Sequence, residues 1–290
     1  MPTTPAVRLV TAEHLPDLAV DDQQLLHQLQ QRGIPVEIAV WDDPTVDWSA
    51  APVTVIRSVF DYHLRRDEFL AWLERAGTQT RIENPPELIH WNSHKSYLTE
   101  VAAAGFATIE TEWLARGTDV DLAGLLRRHG WDEAVVKPAV SASAHETLQI
   151  SPDNVPDAQR HADRLLRTGD ALVQPYLHEF ETVGETSVIW LGAEQTHAVR
   201  RPSGLHSTLE VAHVGAPLTP MDDELALAHA VHEWITPKPL YARIDLIRTA
   251  QFGLLVLELE LIEPALYLRH SPAIAAKFAD AVIGLIPAAA

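Results

Sequence analysis

The sequence predicts a mixed α/β protein, with an open α/β unit first and an antiparallel sheet last. Two observations carry this. Through the first third, β-branched runs alternate with helix-like stretches, the order expected of an open α/β layer. From residue 171 onward the chain is mostly strand. It ends in YARIDLIR (241–248) and LLVLELELIEP (254–264), joined by the short TAQFG, which reads as a hairpin turn.

The first unit is built in order. VRLV (7–10) reads as a short buried strand, and DDQQLLHQLQQRG (21–33) as a helix with acidic residues in its first turn and Gly33 as its stop. IPVEIAVW (34–41) and PVTVIRS (52–58) are strands. RRDEFLAWLERAG (65–77) is a helix with Phe69, Leu70 and Leu73 on one side. Pro85-Pro86 forbids helix and marks a boundary. A middle segment follows, with helices at 94–105, 119–130 and 157–169, a strand EAVVKP (133–138), and a loop of small residues, VSASAHET (140–147). Then come strands at 171–177, 185–192 and 194–202, a helix at 222–235, the hairpin, and a last helix near 273–285.

Composition narrows the function. The 290 residues are 47% hydrophobic, enough for a sizeable core, and Lys+Arg number 22 against 40 Asp+Glu, a formal charge of −18. Such a surface repels phosphate backbones, so no nucleic-acid partner is expected. With 0 cysteines there is no disulfide, thiolate nucleophile or Cys-ligated metal. No stretch approaches the roughly 18 apolar residues of a membrane span, and Met1–Val10 does not read as a signal peptide. A cytoplasmic protein acting on a small molecule, without membrane attachment, is expected; a homodimer is compatible with the sequence. The 15 histidines are scattered. His90 and His94, and His229 with Glu233, have i, i+4 spacing, but no HExxH occurs and no zinc site is expected.

The hairpin carries the chemistry. Leu255, Leu257, Leu259 and Leu261 take alternate positions, and Val256, Glu258, Glu260 and Ile262 take the others. A turn centred near Gln251–Phe252 sets Asp245 opposite Glu258, with Cβ atoms about 5 Å apart. Like charges at that distance destabilise a sheet unless something compensates. A half-solvated sheet with Arg243 near a glutamate is one answer. A hard divalent cation bound by carboxylates and substrate phosphates is the other.

Lysine is scarce: Lys95, Lys137, Lys238 and Lys277. Lys137 ends a strand just before the small-residue loop, where an ammonium and backbone N–H groups suit phosphate oxygens. Lys95 opens a helix, a position that disfavours a cation and asks for an anionic partner. VQPYL (173–177) contains a proline that cannot donate to a ladder, and its backbone groups suit an adenine edge. Glu185 follows as an acceptor for ribose hydroxyls.

This order of residues resembles the ATP-grasp superfamily over roughly residues 80–265. RIDL followed by ELELIEP is similar to the D-alanine–D-alanine ligase pattern RIDV…E-x-N-x-x-P. RSVFDYHLRRDEFLAWL (57–73), WNSHKSYL (91–98), VVKPAVSASAHET (135–147) and LELELIEP resemble the glutathione-synthetase-like branch, which includes a cycloserine-forming cyclo-ligase. Two departures stand out: His94 where many relatives carry Asp, and a phosphate loop with no glycine. The resemblance implies three parts: an N-terminal α/β domain (1–92), a lid subdomain (93–172) and a C-terminal antiparallel subdomain (173–290). It implies ATP with Mg2+ or Mn2+. Asp245, Glu258 and Glu260 fall on the metal positions, Lys95 and Lys137 on the nucleotide lysines, Gln174, Pro175, Tyr176 and Leu177 on the adenine hinge, and Glu185 on the ribose carboxylate. Arg243, with Arg200 or Arg201, would stabilise the transferring phosphoryl. Arg57 and Glu263 are candidates for substrate contact. The implied reaction makes an acyl phosphate that an amine then attacks, between two molecules or within one. A phosphotransferase and a non-catalytic nucleotide-binding module are the alternatives.

Overall fold

The computed structural model describes residues 4–201 and 215–288. Three sheets organise it. The first is parallel, in the order β2-β1-β3-β4, from β1 (Val7–Thr11), β2 (Val36–Val40), β3 (Val53–Ser58) and β4 (Arg81–Glu83). Strands β1 and β3 are buried along their whole length, including Arg8 and Arg57, as befits a sheet covered on both faces. Helix α1 (Gln23–Gln31) packs Leu25 and Leu29 on one face, and α2 (Arg66–Gly77) packs Phe69, Trp72 and Leu73 on the other.

Helix α3 (Pro86–Asn92) corrects the reading of Pro85-Pro86 as a break. Pro86 starts the helix, where a missing N–H costs nothing and a fixed φ helps. Helix α4 is only Tyr97–Ala103, so Lys95 lies just before it. The second sheet, β5-β8-β6-β7, joins β5 (Glu112–Leu114), β6 (Ala134–Pro138), β7 (Leu148–Ile150) and β8 (Ala171–Pro175), all antiparallel. It is backed by α5 (Leu122–His129) and α6 (Val155–Thr168). Strand β8 straddles the expected boundary at 172, so the second sheet runs on to Pro175.

After the short α7 (Glu179–Thr182), the third sheet runs β11-β10-β9-β12-β13: β9 (Glu185–Leu191), β10 (Glu194–Arg201), β11 (Ala216–Leu218), β12 (Tyr241–Thr249) and β13 (Gly253–Glu260). Helix α8 (Asp222–Trp234) covers one side, and α9 (Pro272–Ile283) returns to pack Phe278 with Tyr241 and Leu25 in the core shared with the first sheet. No helix among the described residues is long and apolar enough to cross a membrane.

The hairpin register is the expected one, with Asp245 paired to Glu258 and Arg243 to Glu260. The strict alternation is not. Leu246 pairs with Val256, so Leu257 is an extra residue, a β-bulge. Val256 therefore joins Leu259 and Leu261 in one core, while Leu255 turns to the other face beside Ile247.

Strand β13 is a sheet edge, and buried side chains pair it in place of a further strand. Asn92 donates to the Leu259 carbonyl at 2.7 Å and accepts from the Leu261 N–H at 3.0 Å. The Tyr97 hydroxyl accepts from the Leu259 N–H at 3.0 Å. Asn84, at the end of the parallel sheet, donates to the Tyr241 and Leu261 carbonyls and accepts from the Leu240 N–H. Buried backbone groups must be paired, and here the pairing also joins the first and third sheets.

Candidate active site

The three sheets meet around a cavity of about 270 Å³. Its wall takes Phe60 and Tyr62 from the first unit, Lys137 and the 139–147 loop from the second, and Arg201, Arg243, Glu258 and Glu260 from the third. One end is apolar. Ile109, Leu177, Phe180 and Leu257 line it, and they cluster with Ile247 and Leu255. The other end is charged. Along the cavity face of the hairpin, Arg243/Glu260 comes first, then Asp245/Glu258, then Ile247/Leu255. A ligand with a flat apolar head and an anionic tail fits that sequence of surfaces.

The hairpin carboxylates are compensated by cations of the protein. Lys95 Nζ pairs with Glu258, which answers the expectation that Lys95 needs an anionic neighbour. Arg243 Nε lies 2.9 Å from Asp245 Oδ1, and Arg243 also pairs with Glu260. Arg201 lies 3.1 Å from Asp245 and pairs with Glu185. Asp245 is fully buried, and its oxygens take Ser187, Arg201 and Arg243. It is a counter-ion behind the cavity wall rather than a cavity ligand. Burial pushes its pKa up, but the two arginines outweigh that and hold it below the ordinary value. Glu258 is also held down, by Lys95 and Lys137 against burial. Glu260 is pushed up to about 7 by burial and by Asp245 and Glu258, against Arg243.

Among the described residues no group of three or more His, Asp or Glu is arranged as a preformed metal cage. Glu258 and Glu260 nonetheless face the cavity as hard oxygen donors close enough to disturb each other's ionisation. That fits a Mg2+-like ion that draws its other ligands from phosphates and water.

Lys137 differs from Lys95. Its side chain makes no hydrogen bond or ion pair to another described residue, and its pKa falls to about 8, through burial first and then the neighbouring Lys95, against the pull of Glu258 and Glu185. A half-buried ammonium with no carboxylate in direct contact marks a place for an anion. Beside it, Ser143 and Ala144 of the loop take left-handed φ values of 51° and 55° without being glycine.

Several expected roles are corrected. Arg57 does not line the cavity. It is 1% exposed, 2.8 Å from Asp22, stacked on Tyr241, and its Nη2 donates to the Pro264 carbonyl at 2.7 Å. It is a buried clamp, because its strand runs through the interior. Arg200 lies outside the cavity, with Nη1 3.3 Å from the Gly184 carbonyl, whereas Arg201 is in the wall. Glu185 lines the cavity and is paired in register with Arg201 through one carboxylate oxygen, so it belongs to the charged cluster. The hinge is less open than expected. Gln174 and Pro175 lie in the β8 ladder, and Tyr176 N–H donates to the Glu133 carbonyl at 3.0 Å. Leu177 carries the first amide of the segment with no backbone acceptor among the described residues.

Sequence reasoning did not single out Tyr62, although it sits in the quoted RSVFDYHLRRDEF segment. It also missed the apolar end, whose residues come from four separate stretches and share no spacing signal. Ser187, which donates to Asp245 at 2.6 Å, had no signal either.

Comparison with known proteins gives the family. Residues 7–84 match the family described as the N-terminal domain of the D-cycloserine synthetase DcsG. The cycloserine biosynthesis protein DcsG of Streptomyces lavendulae is 33% identical over 276 residues, 90% of this chain and 92% of that one. A crystal structure of D-cycloserine synthetase DcsG superposes with a TM-score of 0.85 at 31% identity, covering 96% of this chain and 99% of the other. A RimK-domain ATP-grasp protein from Sphaerobacter thermophilus superposes at 0.71 with 15% identity over 96% of this chain and all (100%) of the other, a likeness of fold. The chain therefore belongs to the DcsG family of the ATP-grasp superfamily and is an ATP-dependent carboxylate–amine ligase.

Proposed function

We propose that the enzyme activates the carboxylate of a small amino-acid-like acid as an acyl phosphate and closes that acid into a ring, as a cycloserine-type cyclo-ligase. The likeness to DcsG over nine-tenths of the chain supports the substrate class. The single observation that carries the site assignment is Lys137, a cation with no ion pair of its own beside the charged end of the cavity.

In this reading adenine lies at the apolar end against Leu177 and Leu257, with the Leu177 amide as a hinge donor. Lys95, Lys137 and the 139–147 loop hold the phosphates. Arg201 and Arg243 neutralise charge on the phosphoryl in transit. Glu258 and Glu260, with Asp245 behind them, would hold Mg2+, which would supply positive charge against the phosphates. The division of labour follows the three sheets: an N-terminal domain, a lid ending at Pro175, and a C-terminal subdomain. The carboxylate oxygen of the acid takes the γ-phosphoryl and ADP leaves. A nitrogen of the same molecule then attacks the acyl carbon, the C–O bond to phosphate breaks, and the nitrogen gives up a proton. Intramolecular attack gains a large effective concentration and needs no second-substrate pocket. The net charge of −18 argues against a nucleic-acid partner, and we place the reaction in the cytoplasm.

The test is to incubate enzyme, ATP and Mg2+ with O-ureidoserine alone, then with single amino acids and amino-acid pairs. ADP and free phosphate from the lone ureido acid are the expected result. Turnover only when a separate amine is added leaves an intermolecular ligase. Phosphate retained on the product removes both ligase readings.

A further inference from the structure

Five carboxylates stand at or just behind the charged end of the cavity, and four of them are taken. Asp245 is held by Arg201 and Arg243, Glu185 by Arg201, Glu258 by Lys95 and Glu260 by Arg243. Glu263 is the fifth. Among the described residues its side chain makes no ion pair and no hydrogen bond to another residue, yet it lines the cavity with Lys95, Arg243 and Glu260.

Its position is unusually fixed for a loop residue. On one side the Tyr241 hydroxyl donates to the Ile262 carbonyl at 2.8 Å. On the other the Arg57 guanidinium donates to the Pro264 carbonyl at 2.7 Å. Arg57 is itself held by Asp22. The backbone is thus pinned on both sides of a side chain left without a partner, which is how a reacting group is placed on a rigid support. Tyr62 lines the same cavity, 5% exposed and packed on Phe69, with no hydrogen bond to its hydroxyl from another described residue. Among charged groups Glu263 bears on that phenol most strongly.

The second half of the ligase reaction needs such a group. The attacking nitrogen must lose a proton as the C–N bond forms, or the adduct collapses back to acyl phosphate. A carboxyl bound to arginine or lysine, or to metal, is a poor acceptor. We propose that Glu263 is the general base of the ligation step, accepting the proton of the attacking nitrogen, with Tyr62 as the hydrogen-bonding wall that holds that nitrogen's end of the substrate. The nitrogen lone pair forms the C–N bond, the acyl C–O bond breaks with phosphate as leaving group, and the proton passes to a Glu263 oxygen and then to solvent. Burial, followed by Glu260 and Glu258, lifts the Glu263 pKa well above its ordinary value, the direction that makes a carboxylate more basic.

The inference rests on the ligase reading, and the experiment separates the two. Wild type, Glu263→Gln and Glu263→Asp are given ATP, Mg2+ and O-ureidoserine, with and without hydroxylamine. Hydroxylamine is a nucleophile reactive without a base, and it traps the acyl phosphate as a hydroxamate. Glu263→Gln is expected to form ring product on the order of 10²–10⁴-fold more slowly while hydroxamate formation and ATP affinity stay within a few-fold. Glu263→Asp should recover part of the ring-forming rate. Tyr62→Phe should raise KM for the acid more than it lowers hydroxamate formation at saturation. The proposal is overturned if Glu263→Gln makes product at the wild-type rate. It is equally overturned if product and hydroxamate fall together, or if the loss is recovered by raising Mg2+, because Glu263 would then serve the first step or the metal. No hydroxamate and no ADP from wild type with any acid would instead bring down the ligase reading, and this inference with it.

Discussion

Asp245 and Glu258 face each other across the β12–β13 ladder, and each is held by a different cation: Asp245 by Arg243 and Arg201 of its own sheet, Glu258 by Lys95 from another part of the chain. The repulsion that the sequence demands is thus already answered before any nucleotide arrives. That changes what substitution does. Glu258→Gln should abolish ATP turnover. It should also lower stability by about 1.5–3 kcal/mol, because Lys95 would lose its charged partner in a buried site. Steady-state ADP release and urea denaturation check the two halves. A variant more stable than wild type would mean that like-charge repulsion dominates here.

Lys137 should behave in the opposite way. Its side chain has no ion pair to lose, and burial and Lys95 outweigh the pull of Glu258 and Glu185, so Lys137→Ala is expected to leave the nucleotide-free protein at least as stable as wild type. It should weaken ATP binding by about 1.5–3 kcal/mol, roughly 10- to 150-fold. Calorimetric titration with a non-hydrolysable nucleotide reads the affinity, and unchanged affinity would contradict the role.

The two adjacent arginines should separate cleanly. Arg201→Met removes the partner of both Asp245 and Glu185 and should cost at least 10²-fold in turnover. Arg200→Met, outside the cavity, should change turnover less than about threefold. Equal losses would mean that both guanidinium groups reach the phosphates.

Asn84 tests the seam between the first and third sheets. Asn84→Ala strips partners from the carbonyls of Tyr241 and Leu261 and from the Leu240 amide. Unpaired buried groups cost about 1–3 kcal/mol each, so a loss on the order of 3 kcal/mol is expected in chemical denaturation. A change under 1 kcal/mol would show that the seam relaxes.

His197 gives a pH signature. Burial holds its pKa near 4, against the Leu266 carbonyl, to which Nε2 lies 2.9 Å away. The ordinary value is about 6.5. Between about 6.5 and 4 the unfolded chain binds a proton that the folded chain does not. The neutral ring's contribution is therefore complete above about 6.5 and is lost as pH falls toward 4. His197→Gln should show a shallower loss of stability than wild type across that window, read from urea midpoints. Parallel curves would remove His197 as the cause.

The fold was legible where one physical rule governed a segment. Buried parallel strands, helix stops and the far half of the hairpin follow from local pattern. A turn near Gln251–Phe252 places Asp245 opposite Glu258, whereas the ladder turns about Gln251 and the bulge at Leu257 restores that pairing. The site was legible in its charges but not in their pairings. Arg57, Arg200 and Glu185 looked available in sequence, and each is placed by which neighbour its strand meets. Strand β8 looked free at its end because Pro175 lacks an N–H, yet the Tyr176 amide next to it still pairs with the Glu133 carbonyl. The short strands β4, β5, β7 and β11 were missed because three residues carry too little pattern to be seen.

The extra residue at Leu257 sets a parity rule for the chain. Deleting its side chain and deleting the residue are different operations. Leu257→Ala trims one contact at the apolar end and should be mild. Removing residue 257 altogether leaves Val256 opposite Leu246 and Glu258 opposite Asp245, so the ladder straightens while every side chain keeps its face. A one-residue slip of the pairing elsewhere in β13 would instead turn Glu258 and Glu260 into the core occupied by Leu259 and Leu261. The spacing of RIDL to ELELIEP therefore counts one residue more than a regular ladder needs, and that residue is Leu257.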